Sequence, residues 1–391
     1  MKKDFEYVVV GCGGIGSAAA YWLSREAGGE VLVLEQFYLG HDRGGSEDHS
    51  RIIRLSYHAP HYTALTPHTY EAWAEVERES GARLVVKSGG LDLEPVENEP
   101  KFVNQYAGAM RAAGIPHEEL WADEVMRRFP QFRLDDGVRA VYQEDAGIVD
   151  AGRANSTHVA LARARGATVL DDTPVRGVRT VGDGVEIYTD GATFSARRLV
   201  VAAGAWTNKV LAHVGMEISI TCTQEQVTYF RAPDLEAFSP ERFPVWIWHG
   251  GPEYSFYGVP AYGEPATKAG QDVGGDIVTV DTRTFEPNER VRENLRGFLN
   301  RYIPGFLGPE LYSKTCLYDM PPDREFVLGA LPEQPQILVF NGAGHGFKFA
   351  SLVGKILGEL AVHAKTEYPI EAFRLDRPAL TDPSYEPVFA M

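Results

Sequence analysis

At 391 residues the chain is long enough to bury a large core and to divide into two domains. Its formal net charge of -16 argues against a nucleic-acid partner, which needs a clustered positive field. Three cysteines, Cys12, Cys222 and Cys316, are too few and too scattered for a disulfide framework or a metal cluster, so no metal site is expected and a reducing compartment fits. In chain order, Tyr7-Val8-Val9-Val10 is a short run of mostly β-branched residues, as a strand buried on both faces requires. It runs into Gly11-Cys12-Gly13-Gly14-Ile15-Gly16, which has the spacing GxGxxG. Ser17 to Leu23 is helix-forming, and Val31-Leu32-Val33-Leu34 reads as a second buried strand ending at Glu35. In that βαβ setting the glycines allow a tight turn, close approach of backbone to a pyrophosphate, and close packing of helix on strand. The helix N-terminus offers N–H groups and a positive dipole end to the phosphates. Glu35 stands where an acid accepts hydrogen bonds from ribose hydroxyls.

After Glu35 a polar loop from Leu39 to Ser50 leads into Arg51-Ile52-Ile53-Arg54-Leu55. Helical periodicity covers Thr66 to about Glu79, Asn98 to Ala113 and Ala122 to Phe129, and Leu84 to Leu93 alternates like a strand. Ser156 to Arg165 reads as a helix with Gly166 behind it as a stop signal. Strands are expected at Thr168–Leu170, Val175–Val178 and Val185–Tyr188, and in Leu199 to Trp206 a buried strand runs into a small-residue turn. From Cys222 to Val280 the texture becomes aromatic and alternating, as in Val245-Trp246-Ile247-Trp248 and Asp276 to Val280, which predicts a largely antiparallel sheet. A helix over Asn288 to Asn300 follows. The chain then returns to strand, turn and helix through Gln336–Phe340, Asn341 to Gly346, and a helix to about His363.

Five separated segments together resemble the D-amino-acid-oxidase-like flavoproteins, and most closely the monomeric sarcosine oxidase, N-methyltryptophan oxidase and pipecolate oxidase group. They are Val10 to Gly16 with Glu35, Ser50 to Arg54, Leu199 to Trp206, Thr315-Cys316-Leu317-Tyr318 with Asp323, and Gly344-His345-Gly346-Phe347-Lys348-Phe349. The resemblance spans almost the whole chain. It implies an α/β fold, α+β overall, with a Rossmann-type FAD-binding domain and an inserted, mainly antiparallel β-sheet substrate domain. The expected division is 1–84, 146–218 and 321–391 for the FAD-binding domain, and 85–145 and 219–320 for the substrate domain.

The resemblance assigns the FAD contacts to Gly11, Gly13, Gly14, Ile15, Gly16, Glu35, Gln36, Ser46, Ser50, Arg51, Val175, Ala203, Gly204, Trp206, Cys316, Gly344, His345, Gly346, Phe347 and Lys348. Taken alone, Cys316 reads as an inert small hydrophobe. In relatives this cysteine carries the flavin as a thioether on the 8α-methyl, which raises the flavin's potential and implies covalent FAD here. Cys12 and Cys222 read as structural. Arg54 and Lys348 suit a substrate carboxylate, one as a planar fork and one as a compact charge. Arg51 is implied to lie against the flavin ring, where its charge stabilises a reduced, anionic form. His345 is implied at the flavin edge, and Tyr257 and Tyr318 along the substrate cavity. Lys268 matches a lysine that activates oxygen near flavin N5, since a fixed ammonium stabilises the charge oxygen acquires. Lys268, Arg51, His345 and Tyr257 thus form the implied catalytic set, and Arg54, Lys348, Tyr318 and Tyr257 the substrate-binding set.

Two departures from the family pattern stand out. Sarcosine and N-methyltryptophan oxidases carry a histidine where this chain has Asp272, and relatives commonly have His-Gly where it has Glu47-Asp48 before His49. An acid at the cavity would favour a substrate with an extra positive charge or hydroxyls; a solvent-facing acid is the alternative. Trp246 and Trp248 either narrow the cavity or belong to the core. The implied activity is oxidation of the C–N bond of a secondary or N-substituted amino acid to an imine, with O2 reduced to H2O2 and activity rising with pH as the amine loses its proton. An FAD dehydrogenase passing electrons to a partner, a deglycating (fructosyl amino acid) oxidase and a flavin-binding sensor remain open. No window reads as a membrane span, the N-terminus enters a strand too early for a signal peptide, and the last five residues, 387–391, form no peroxisomal tripeptide. A cytoplasmic monomer with a small-molecule substrate and O2 as partners is expected.

Overall fold

The computed structural model describes residues 2–95, 101–251 and 254–388. Strand β1 (Asp4–Val10) lies inside a sheet, parallel to β2 (Val31–Leu34) on one side and to Thr193–Val201 on the other. Thr168–Leu170 extends the parallel order beyond β2, and Gln334–Asn341 extends it beyond Thr193–Val201. Val8, Val9, Leu32 and Val33 are fully buried, and each such side chain contributes roughly 1.5–3 kcal/mol on leaving water. Helix α1 (Gly14–Ala27) packs on β1 and on the helix Ala350–His363. Small residues set that spacing: a Cβ on Gly354 would fall 2.5 Å from the backbone of Ala18.

A second sheet holds the inserted segments. Its order runs Asp276–Ile277, Thr221–Phe230, Thr267–Gln271, Phe256–Val259, Val245–Trp248, Gly90–Glu94, Arg139–Gln143 and Glu118–Trp121, and Glu310–Met320 also pairs with Thr221–Phe230. All of these pairings are antiparallel except Val245–Trp248 with Gly90–Glu94. A small sheet of Arg51–Ile53, Gly147–Val149 and Val85–Lys87 holds Arg51 close to the larger ones. No helix among the described residues is long and apolar enough to cross a membrane.

Several expectations shift. The run Leu84 to Leu93 is not one strand: Gly89, at φ 73°, turns the chain so that Val85–Lys87 and Gly90–Glu94 join different sheets. The helix placed at Ser156 begins at Ala151, because Asp150 caps it by accepting from the backbone N–H of Arg153 at 3.0 Å. The helix expected from Asn98 spans Phe102–Ala112, with 98–100 outside the described residues, as are 389–391 of the C-terminal segment. Only Asp276–Ile277 of the run to Val280 pairs as strand. Trp246 and Trp248 are core, stacked on and edge-on to Phe298.

One polar core residue makes a test. His158 lies between the rings of Tyr21 and Trp73, at 5.6 and 5.4 Å, and neither ring nitrogen has a hydrogen-bond partner among the described residues. Burial pushes its pKa down to about 3. The unfolded chain therefore binds a proton that the folded one refuses, so stability is full above about 6.5 and falls as the pH drops toward 3. His158→Leu is expected to lose less stability than the parent between neutral pH and about pH 5, read from urea midpoints. Equal losses would contradict this.

Candidate active site

The two large sheets face a cavity of about 1450 Å³ that runs from Gly11–Ile15 and Glu35, past 44–51, to Tyr257, Tyr318 and Lys348. At its first end Gly11 turns at φ 94°, and a Cβ on Gly16 would meet the Gly11 carbonyl oxygen at 1.9 Å, so the helix can start only this close to the loop. The N-cap of α1, Gly13, supplies no side-chain cap, which leaves the first-turn N–H groups for an anion. Glu35 accepts from the backbone N–H of Cys12 at 2.8 Å and of Phe37 at 3.0 Å. Burial pushes its carboxyl up, but these bonds and His41 outweigh that and hold it below the usual range. Ser46 sits over the loop, where a Cβ on Gly13 would come within 2.9 Å of its Oγ. Arg283 donates to the Arg43 carbonyl and, at 3.0 Å, to Thr315 Oγ1, tying this loop to the strand that carries Cys316.

Of the sequence-assigned residues, Gly11, Gly13, Gly14, Ile15, Glu35, Gln36, Ser46, Ser50, Arg51, Arg54, Val175, Ala203, Gly204, Trp206, Tyr257, Lys268, Cys316, Tyr318, Gly344, His345, Gly346, Phe347 and Lys348 all line this cavity. Gly16 does not, and its part is helix packing. Gly344, at φ 78°, takes a conformation few other residues adopt, and a Cβ there would strike the Tyr318 ring at 2.6 Å.

In the middle of the cavity Asp48 holds two cations. Its Oδ2 lies 2.7 Å from Lys268 Nζ and 3.5 Å from Arg51 Nη1, and Tyr229 donates its hydroxyl to Oδ1. Burial pushes the Asp48 carboxyl up, but Lys268 and Arg51 outweigh it and keep the group ionised. Lys268 also donates to the Ser50 carbonyl at 2.8 Å; burial draws its pKa down to about 8, with Asp48 acting against the fall. Arg51 is fixed by the carbonyls of Gly45, Ser50 and Glu47. The Cys316 thiol is pushed up to about 11 by burial, with Arg51 and Lys268 pulling the other way.

At the far end, Arg54 pairs with buried Asp92, which also accepts from Ser56 at 2.6 Å and meets His249 Nε2 at 2.9 Å. Arg54 and Lys348 both stand over the ring of Tyr57, at 5.0 and 5.4 Å. Lys348 Nζ donates to the Tyr57 hydroxyl at 3.0 Å and to the His345 carbonyl at 2.9 Å. That hydroxyl is 3.1 Å from His345 Nδ1, and His345 Nε2 is 3.1 Å from the Arg324 carbonyl. A carbonyl only accepts, so Nε2 carries the hydrogen and Nδ1 accepts from Tyr57. Burial, with Lys348 and Arg324, keeps His345 neutral. Asp272 does not offer a free charge to a ligand: Arg324 Nη2 holds its Oδ1 at 2.8 Å.

Asp48, Tyr57, Asp92, His249 and Arg324 were not assigned from sequence. Asp92 carried a signal, an acid inside the apolar alternation Leu91-Asp92-Leu93. Arg324 and Tyr57 carried none.

Residues 6–360 match the family model described as FAD dependent oxidoreductase. The chain belongs to that family. It is 34% identical to a monomeric sarcosine oxidase of Streptomyces avermitilis, over 95% of this chain and 97% of the relative. It is 29% identical to the N-methyl-L-tryptophan oxidase of Escherichia coli, over 96% of this chain and 100% of the relative. The open form of NikD, an unusual amino acid oxidase essential for nikkomycin biosynthesis, superposes with a TM-score of 0.84 at 28% identity, covering 95% of this chain and 98% of that one. The fold is the expected mixed α/β architecture, and the cofactor is FAD. The uncapped helix N-terminus, the close-packed glycine loop and the length of the cavity fit that group: Gly11 to Ile15 would take the pyrophosphate, Glu35 a ribose, and the Arg51 and Phe347 region the ring.

Proposed function

We propose that the enzyme oxidises the C–N bond of a secondary or N-substituted amino acid to an imine that hydrolyses, and that O2 is reduced to H2O2. Bound FAD supplies the two-electron acceptor. The chain's own residues bind, orient and charge the site. The observation that carries the reading is the arrangement of cations around one cavity. Arg51, Arg54 and Lys268, which line it, each face a carboxylate, and Arg324 pairs with the lining Asp272, whereas Lys348 makes no ion pair among the described residues. Arg54 and Lys348 together take a substrate carboxylate, with Tyr257 and Tyr318 closing over the rest of the molecule. Lys268, fixed by Asp48 and Ser50, supplies the charge that oxygen needs, and Arg51 supplies one beside the ring. His345 supports Tyr57 and Lys348, since both its ring nitrogens are engaged. Relatives named for sarcosine and N-methyl-L-tryptophan support an N-substituted amino acid as the substrate class.

In this reading 1–84, 146–218 and 321–391 form the FAD unit and 85–145 and 219–320 the substrate unit; membership of the two large sheets supports the division, while Val85–Lys87 pairs with Gly147–Val149 across it. We place the protein in the cytoplasm as a monomer. The test is peroxide yield: with a substrate of this class in air, one H2O2 should form per amine oxidised. Turnover that needs an added electron acceptor and gives no peroxide would favour the dehydrogenase alternative.

We also propose that Cys316 carries the flavin covalently. Denaturing the parent protein should leave the yellow colour on the chain, whereas Cys316→Ala should release it to a filtrate. Release from both would refute the linkage.

A further inference from the structure

Lys348 is an unusual lysine. It is 9% exposed, lines the cavity, and among the described residues has only neutral hydrogen-bond partners, the Tyr57 hydroxyl and the His345 carbonyl. The charged and titratable groups around it come from several segments: Arg54 and Tyr57, Asp92 with His249, Asp272, Arg324 and His345. These largely cancel before Lys348 is counted. Asp92 takes Arg54, Asp272 takes Arg324, and the ring of His345 is neutral. Burial, with Arg54 and Arg324 nearby, lowers the Lys348 pKa well below the ordinary lysine range.

Tetrahedral geometry then decides where a proton can go. An uncharged amine has two hydrogens, and Nζ has two acceptors, the Tyr57 oxygen and the His345 carbonyl oxygen. In that form its fourth position, after Cε and these two, would be a lone pair, on a residue that lines the cavity. The Tyr57 hydroxyl is held by donating to His345 Nδ1, which is held in turn by donating from Nε2 to the Arg324 carbonyl. The chain of bonds fixes Nζ, and no third hydrogen-bond partner is found for it among the described residues.

Resting on the amino-acid reading above, we propose that Lys348 is the base that accepts the ammonium proton of the bound substrate and, once charged, becomes the counterion of that substrate's carboxylate. The N–H bond of the substrate ammonium breaks and its electron pair stays on nitrogen as the lone pair that oxidation requires. The Nζ lone pair forms the new N–H bond. Nothing is oxidised or reduced, and a zwitterion beside a neutral lysine becomes an aminocarboxylate beside an ammonium. One residue thereby links substrate capture to activation of the amine, and the two nearby acids, Asp92 and Asp272, are already held by Arg54 and Arg324.

A carboxylate that lacks an amine separates this from a fixed positive charge. Such a ligand brings no proton, so Lys348 must draw one from the buffer. Acetate and 2-furoate would be titrated into the FAD-loaded protein by calorimetry, in buffers of different ionisation enthalpy. Uptake approaching one proton per site is expected in alkaline buffer, falling at lower pH where the lysine is already charged. Lys348→Arg, which keeps a permanent charge, should bind these ligands with uptake near zero. Binding without uptake in the parent protein, or undiminished uptake in Lys348→Arg, would overturn the assignment and leave the oxidase reading standing. Failure of every carboxylate to bind, together with failure of every amino acid to bleach the flavin, would sink both.

Discussion

Lys268→Met is expected to slow the oxygen-consuming half of the reaction by roughly 10²–10³-fold, the cost of removing one fixed charge-stabilising donor, while anaerobic reduction by substrate stays within a few-fold of the parent. The lysine is built into its place. Asp48 at 2.7 Å, the Ser50 carbonyl at 2.8 Å and the Ser50 hydroxyl at 3.3 Å leave its ammonium little freedom. An ammonium that does not need to reorganise is worth most where charge develops, because its orientation was fixed during folding. The same site predicts a pH limb. Burial draws Lys268 down to about 8, so the oxygen half-reaction should weaken as the pH rises past that value and the charge is lost. Lys268→Met should show no such limb. Stopped-flow mixing of substrate-reduced enzyme with oxygenated buffer reads both effects, and an unchanged rate in the variant would remove Lys268 from the oxygen reaction.

The second large effect belongs to Arg54. Arg54→Met strands Asp92 in the interior with Ser56 and His249 but no permanent cation. Breaking a buried pair from one side costs about 3–5 kcal/mol, because the remaining charge keeps its desolvation penalty. Melting should therefore fall by roughly 4–6 degrees. Substrate affinity should fall as well, by about 10–100-fold for the lost charged hydrogen bond. Adding Asp92→Asn separates the two roles. The double variant should recover much of the melting temperature and none of the affinity. Recovery of both would mean that Arg54 serves only the fold, and the carboxylate would then belong to Lys348 alone.

The sequence made the dinucleotide half legible because steric constraints there are local. Gly11, Gly13 and Gly16 are required by contacts within a few residues or by one packed neighbour, and the two flanking strands are short apolar runs. Arg54, Lys348 and Lys268 were readable as site residues only through family resemblance, since nothing in their neighbours' chemistry marks them. What stayed hidden were the partners. Asp48 reaches Lys268 across 220 positions and Tyr57 reaches Lys348 across 291, and no local pattern encodes such pairs. Asp272 shows the cost of that blindness. As a letter replacing a histidine it reads either as an acid selecting a cationic or hydroxylated substrate or as one facing solvent, but Arg324, 52 positions on, pairs with it. The turn at Gly89 was missed for a related reason, because alternation reports which face a residue takes and not which sheet it joins.

An anaerobic visible spectrum recorded while the yellow protein is titrated with sarcosine, N-methyl amino acids, L-proline, L-pipecolate and a glycated amino acid tests the central claim most directly. Stoichiometric bleaching by one of these classes, reversed on admitting air, is the predicted result. A flavin that keeps its colour through the whole panel would contradict an amino-acid oxidase built on Arg54 and Lys348.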